Sequence, residues 1–119
     1  MTTNNRATIY SGFYKIILLG DVRVGKTSIV KKFINNEDPT PYLSTIAVDF
    51  FEKDIHYYNN IYRLQIWDVS GNPKHTDNQH KTCYKNVHCC ILVFDLTNTF
   101  SFISLDKWVN EILCHHINS

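Results

Sequence analysis

The chain has 119 residues, 44% of them hydrophobic and 19% charged, and a formal net charge of +1. That length holds one domain with a modest core, and the even charge balance gives no support to nucleic-acid binding. No stretch reaches the roughly 20 apolar residues of a membrane span, and the opening MTTNNRATIY lacks the apolar run of a secretory signal. The expectation is an intracellular, cytoplasmic chain without a membrane anchor of its own. Cys89-Cys90 lies in the apolar run CCILVF and reads as buried, reduced thiols. Cys83, Cys114, His115 and His116 lack the paired spacing of a zinc site.

Residues 1–12 are polar and read as a flexible extension, leaving 13–119 as one domain. YKIILLG is a short apolar run closed by Gly20, the pattern of a strand buried on both faces. Ile29, Val30, Phe33 and Ile34 then share one helical face, and the helix is expected to stop at Asn35-Asn36. Two prolines make NNEDPTPYLST a loop. Ile46–Ile55 and Ile61–Trp67 are rich in β-branched and aromatic residues; the asparagines between them suit the positive φ of a tight hairpin. VSGNPKHTDNQ is a second loop, 80–86 a short helix, and CCILVFDL another buried strand. Ser101 can cap a last helix whose Phe102, Leu105, Trp108, Val109, Ile112 and Leu113 form an apolar stripe. This order predicts an α/β domain with a mostly parallel sheet.

GDVRVGKT, Gly20 to Thr27, fits the phosphate-loop pattern G-x-x-x-x-G-K-[ST] and sits between a buried strand and a helix, as the mechanism requires. Glycines at 20 and 25 let the backbone of Asp21, Val22, Arg23, Val24 and Gly25 wrap closely, so successive N–H groups can point at an anion. The helix N-terminus adds positive potential. Lys26 supplies a mobile charge for β- and γ-phosphates, Thr27 a hydroxyl for Mg²⁺, and Ser28 a hydroxyl for an α-phosphate oxygen. Downstream, RLQIWDVSG puts Asp68 at a strand end, where a carboxylate can hold the metal through its water. Gly71 then offers a backbone N–H to the γ-phosphate.

With these elements in place the chain resembles the Rab branch of the Ras-like small GTPases, from about Phe13 to its end. KIILLGDVRVGKTS, YLSTIAVDF, LQIWDVSGN and ILVFDLT are similar to that family's KLLLIGDSGVGKSS, YISTIGVDF, LQIWDTAGQ and IVVYDVT. The resemblance implies a P-loop NTPase fold of Ras-like type, here about four strands and three helices, mostly parallel with one antiparallel edge strand. It implies GTP/GDP as ligand with Mg²⁺, switch loops at 36–46 and 69–83, and Thr45 as a further Mg²⁺ ligand. It also implies Rab-type effectors and regulators as partners, reading an aromatic patch that includes Phe50 and Trp67 and a third member near Cys83-Tyr84.

Several positions depart from the family. Its guanine-reading N-K-x-D and S-A-K motifs do not occur in these residues, and its base-packing aromatic in the first switch aligns with Asp38. Weakened base recognition is the expectation, since rejecting the wrong base relies on groups it would leave unpaired. The water-orienting glutamine aligns with Asn72, one methylene shorter and stiffened by Pro73. Val22 places a stiff β-branched side chain near the γ-phosphate position. Slow GTP hydrolysis follows, with Asn72 and Lys26 as its catalytic residues. The CCILVFDL strand, apolar but at the sheet edge, predicts a homodimer or another partner covering Cys89–Leu96. The alternative is a non-catalytic interaction module that keeps the effector-facing surface. Membrane association would require a longer product with a lipidated C-terminus.

Overall fold

A computed structural model describes residues 7–35, 48–71 and 81–117. Strand β1 (Gly12–Leu19) is followed by helix α1 (Lys26–Asn35). The hairpin β2 (Val48–Tyr57) and β3 (Asn60–Val69) comes next, then a 3-10 turn at Lys81–Tyr84. Strand β4 (Cys89–Leu92) and helices α2 (Thr99–Ile103) and α3 (Leu105–Ile117) complete the domain. The sheet order is β2-β3-β1-β4. β1 runs parallel to both neighbours, while β2 pairs antiparallel with β3 from Val48↔Val69 to Tyr57↔Asn60. This is the mostly parallel Ras-like α/β architecture.

Alternation along β1 feeds two cores. Ile17 and Leu19 face Val69, Tyr84, Cys83 and Trp108 on one side. Leu18 faces Ile66, Val30 and Val93 on the other, with Ile34 and Val24 packed at its margin. A strand that is buried on both faces has to read as a continuous apolar run, which is why KIILL carries no alternation.

Four expectations shift. The hairpin's positive φ falls on Tyr58 (+52°), not on an asparagine; its ring meets Tyr57 edge-on at 4.5 Å. Of the α1 stripe, Val30 is buried and Ile34 half-buried, while Ile29 and Phe33 stay exposed. Phe33 is instead covered in part by the Lys53 ammonium, 4.7 Å from its ring. The single last helix expected from the sequence divides into α2 and α3, and Asn98 caps α2, its side chain accepting from Phe100 N at 3.1 Å. Ser101 lies inside α2, buried, with Oγ donating to Asn98 O and accepting from Asp95 N. Finally β4 is short and largely exposed, Cys89 included. It ends where its partner ends, at the Leu19↔Leu92 pair, and the chain then turns at Asp95, whose carboxylate accepts from Thr97 N and Oγ1. Being last in the sheet, β4 has one unpaired side and Ile91 and Leu92 reach solvent. Cys90 is half-buried, and burial pushes its thiol up to about 11, so at neutral pH it is a thiol.

Beyond α1 the same sheet face lies open as a cleft of about 370 Å³ lined by Tyr14, Ile55, Tyr57, Tyr62 and Leu64. Nearby, Tyr10 and Ser11 are bonded to the hairpin. Tyr10 donates to Asp54 Oδ2 at 3.0 Å and accepts from Arg63, whose guanidinium also lies 4.6 Å over the Tyr10 ring. Ser11 N donates to Ile61 O at 2.7 Å. The hydrogen bond from Arg63 Nε holds the Asp54 carboxyl below its usual range. A depressed carboxyl stabilises the folded form above its unfolded value and loses that contribution as pH falls through the lower folded value. The Tyr10 clasp should therefore be insensitive to pH between about 5 and 8 and open only in acid below the ordinary carboxylate value of about 4, as pH falls through the depressed folded value. NMR shifts of the Tyr10 ring should show that acid step, and Asp54→Asn should abolish it.

Candidate functional site

The ends of β1 and β3 bring the sequence-predicted residues to one point. The loop leaves β1 at Gly20 (φ +156°), where an added Cβ would collide with the carbonyl oxygen of Val93. At Gly25 (φ +100°) an added Cβ would meet nothing within 4 Å, so the loop opens on space at that residue. Arg23 between them takes φ +63°, the left-handed region that costs a side chain with a Cβ roughly 1–2 kcal/mol. The family residue aligned here is glycine, so the strain comes from this chain's own substitution. Val22 and Ser28 are exposed, and Val24 packs on the α1-side core.

Lys26 opens α1 and is only 6% exposed. Its ammonium donates to Gly20 O and Asp21 O, both at 2.8 Å. Burial pushes its pKa down, and the negative charges of Asp68 and Asp21 act against that. Next to it, Thr27 Oγ1 donates to Asp68 Oδ2. Asp68 is the penultimate residue of β3, before Val69, and is fully buried. Gly71 completes the contact. An added Cβ there would collide with Asp21 C, Gly20 O and Val22 N, so the chain leaving β3 lies directly on the phosphate loop.

This donor set fits a divalent cation with a phosphate chain. Mg²⁺ prefers oxygen ligands and shares its shell between one or two protein groups, water and phosphate; Thr27 and Asp68 supply two adjacent oxygens. Among the described residues no group of three His, Cys, Asp or Glu could hold a metal alone. Lys26 brings a buried positive charge whose ammonium donates to backbone carbonyls.

Thr45 and Asn72 lie outside the described residues, as do 36–46 and most of 69–83. Phe50 and Trp67 pair across the hairpin register, ring centroids 4.9 Å apart in an edge-on arrangement. Phe50 is exposed, and the Lys15 ammonium stands 4.5 Å from the Trp67 ring. The third aromatic expected near Cys83-Tyr84 is not on this surface. Both residues are buried in the core, with Tyr84 stacked on His115 at 5.0 Å and its phenol pKa pushed up by burial. Sequence reasoning also missed Trp108, whose indole Nε1 donates to Asp21 Oδ1 at 2.9 Å. Its place in an apolar helical stripe signals only packing.

The Ras family model matches residues 15–119. The chain belongs to the Ras family. Within that family it is similar to Rab-type members. The Ras-related protein RABG3b of Arabidopsis thaliana is 37% identical over 113 residues, covering 95% of this chain and 53% of that protein. The Ras-related protein Rab-7b of Paramecium octaurelia is 39% identical over 100 residues, 84% of this chain and 48% of that protein. The Ras-related protein Rab7 of Pisum sativum is 35% identical over 99 residues, 83% and 48% respectively. The chain spans about half the length of these curated relatives.

The contact at Gly71 gives a direct stability test. Gly71→Ala forces a methyl into the loop backbone, and overpacking of this kind costs about 1–3 kcal/mol. Chemical denaturation should show that loss, while an unchanged midpoint would mean that β3 and the loop are not in contact.

Proposed function

We propose that this chain is a Rab-like nucleotide switch that binds GTP or GDP mainly through phosphate and Mg²⁺, acts in membrane traffic, and hydrolyses GTP slowly. The observation that carries this reading is the convergence of Lys26, Thr27, Asp68 and Gly71 on the loop 20–25. Lys26 exchanges its carbonyl partners for β- and γ-phosphate oxygens. The N–H groups of Asp21, Val22, Arg23, Val24 and Gly25 line the phosphates at the start of α1, and Ser28 reaches the α-phosphate. Thr27, Thr45 and Asp68 hold Mg²⁺, directly or through its water; the ion supplies charge neutralisation between the phosphates. Gly71 N–H serves the γ-phosphate.

Turnover is slow because phosphoryl transfer depends on positioning. Asn72 is a short substitute for the water-orienting group, and Val22 is exposed at the loop, where it crowds incoming water. Base recognition is weak because these residues hold none of the family's guanine-reading motifs. Effectors and regulators read Phe50 and Trp67, and a second copy of the chain covers the β4 edge from Cys89 to Leu96, where Ile91, Leu92, Phe94 and Leu96 are exposed. Phe50, exposed beside the half-buried Trp67, also favours the second reading, an interaction module that binds effectors without productive turnover.

Titration of the chain with Mg²⁺·GTP and Mg²⁺·ATP should give weak binding with little preference between them. Tight GTP binding beside negligible ATP binding would contradict the base-recognition part. Lys26→Met should abolish binding of both nucleotides. Asn72→Gln should raise single-turnover hydrolysis; no turnover in either protein, with binding intact, would select the interaction module.

A further inference from the structure

Asp21 is held from two sides. Its backbone carbonyl accepts from the Lys26 ammonium at 2.8 Å, and its carboxylate accepts from the Trp108 indole at 2.9 Å. The two bonds come from different parts of the fold. Lys26 is the first residue of α1, whereas Trp108 is 87 positions from Asp21 in sequence, on α3. Trp108 is itself immovable on the scale of a loop: it is 3% exposed and packed in one core with Ile17, Leu19, Val69, Cys83 and Tyr84. A loop built on positive-φ residues at 20, 23 and 25 has several soft dihedrals and one strained one. The indole bond ties its first residue after Gly20 to the rigid side of the sheet.

The bond also settles where the carboxylate goes. Asp21 is the residue of the loop whose charge is least welcome beside phosphates, and its charge is felt at Lys26. With the carboxylate committed to Trp108, the ammonium's bonds are to carbonyl oxygens, which a phosphate can displace more easily than a paired carboxylate.

From this we infer that Trp108 is a positioning residue: its indole N–H anchors Asp21 and so fixes the phosphate loop in the shape that receives the nucleotide. The anchoring is a property of the chain alone; its consequence for nucleotide rests on the function proposed above. A hydrogen bond to a charged group contributes enough to change local opening by roughly tenfold or more.

The test is hydrogen exchange, followed by mass spectrometry, on the full 119-residue chain without nucleotide. Trp108→Phe keeps a large aromatic ring and deletes the donor; Asp21→Ala deletes the acceptor without touching the core. Each should speed exchange in the segment 20–28 by about tenfold, with β1 and β3 unchanged. The double variant should be no faster than either single one, because both remove the same bond. Asp21→Asn keeps an acceptor oxygen and should stay near the wild-type rate. Unchanged exchange at 20–28 in Asp21→Ala would overturn the inference, and so would a Trp108→Phe increase spread equally over β1 and β3. A wild-type chain that binds no nucleotide would remove the proposed function and leave this result to stand or fall by exchange alone. Where nucleotide does bind, its release rate should rise in both variants and stay close to wild type in Asp21→Asn.

Discussion

The site is organised around a buried cation. Removing an ammonium from water is costly unless its donors are met, and Lys26 is buried with two of its donors met by the carbonyls of Gly20 and Asp21. That requirement sets the path of the loop. Carbonyls can converge on the lysine only if Gly20 takes a backbone angle in which it has no side chain to collide with Val93. Asp68 adds negative charge from the end of β3, and Thr27 fastens it to α1. Gly71 then seats the outgoing chain on the loop backbone. The result is a site with a buried positive charge, an open space at Gly25 and two adjacent side-chain oxygens, those of Thr27 and Asp68. An anion carrying a divalent cation matches it in both charge and ligand type.

Much of this was legible because it is local. The phosphate-loop spacing, the strand before it and the helix after it are encoded within Gly12–Asn35, and Asp68 and Gly71 sit at the end of an apolar strand with hairpin signals. What escaped is non-local or competitive. Asn98 and Ser101 are both good caps, and nothing in the sequence says that Ser101 Oγ is needed at Asp95 and Asn98 instead. The apolar run CCILVFDL promises a longer strand than β4, which stops where its partner β1 stops, at the Leu19↔Leu92 pair. Trp108 reads as core, which it is; its polar atom finds Asp21 only when the fold brings α3 beside the loop.

The surface away from the loop carries a different kind of information. Apolar side chains cluster around β4 and α2, where Phe94 and Phe102 stack edge-on at 5.1 Å while both remain exposed, and Leu96 is 90% exposed. An edge strand with this composition is a template for association. The hairpin edge is more polar: Glu52 and Asp54 flank Arg63 in an ion-pair set, leaving Phe50 and Trp67 as the aromatic feature of that end. The two edges of one sheet thus differ in composition.

The central claim of the proposed function is that this chain grips phosphate and metal and scarcely reads the base. Its most direct test is a calorimetric comparison of Mg²⁺·pyrophosphate with Mg²⁺·GDP, which share the diphosphate group and differ by the nucleoside. The account expects dissociation constants within about tenfold of each other, a difference of about 1.4 kcal/mol. GDP binding tighter by three or more orders of magnitude, on the order of 4 kcal/mol, would contradict it, because the base would then be recognised by groups that the account leaves out.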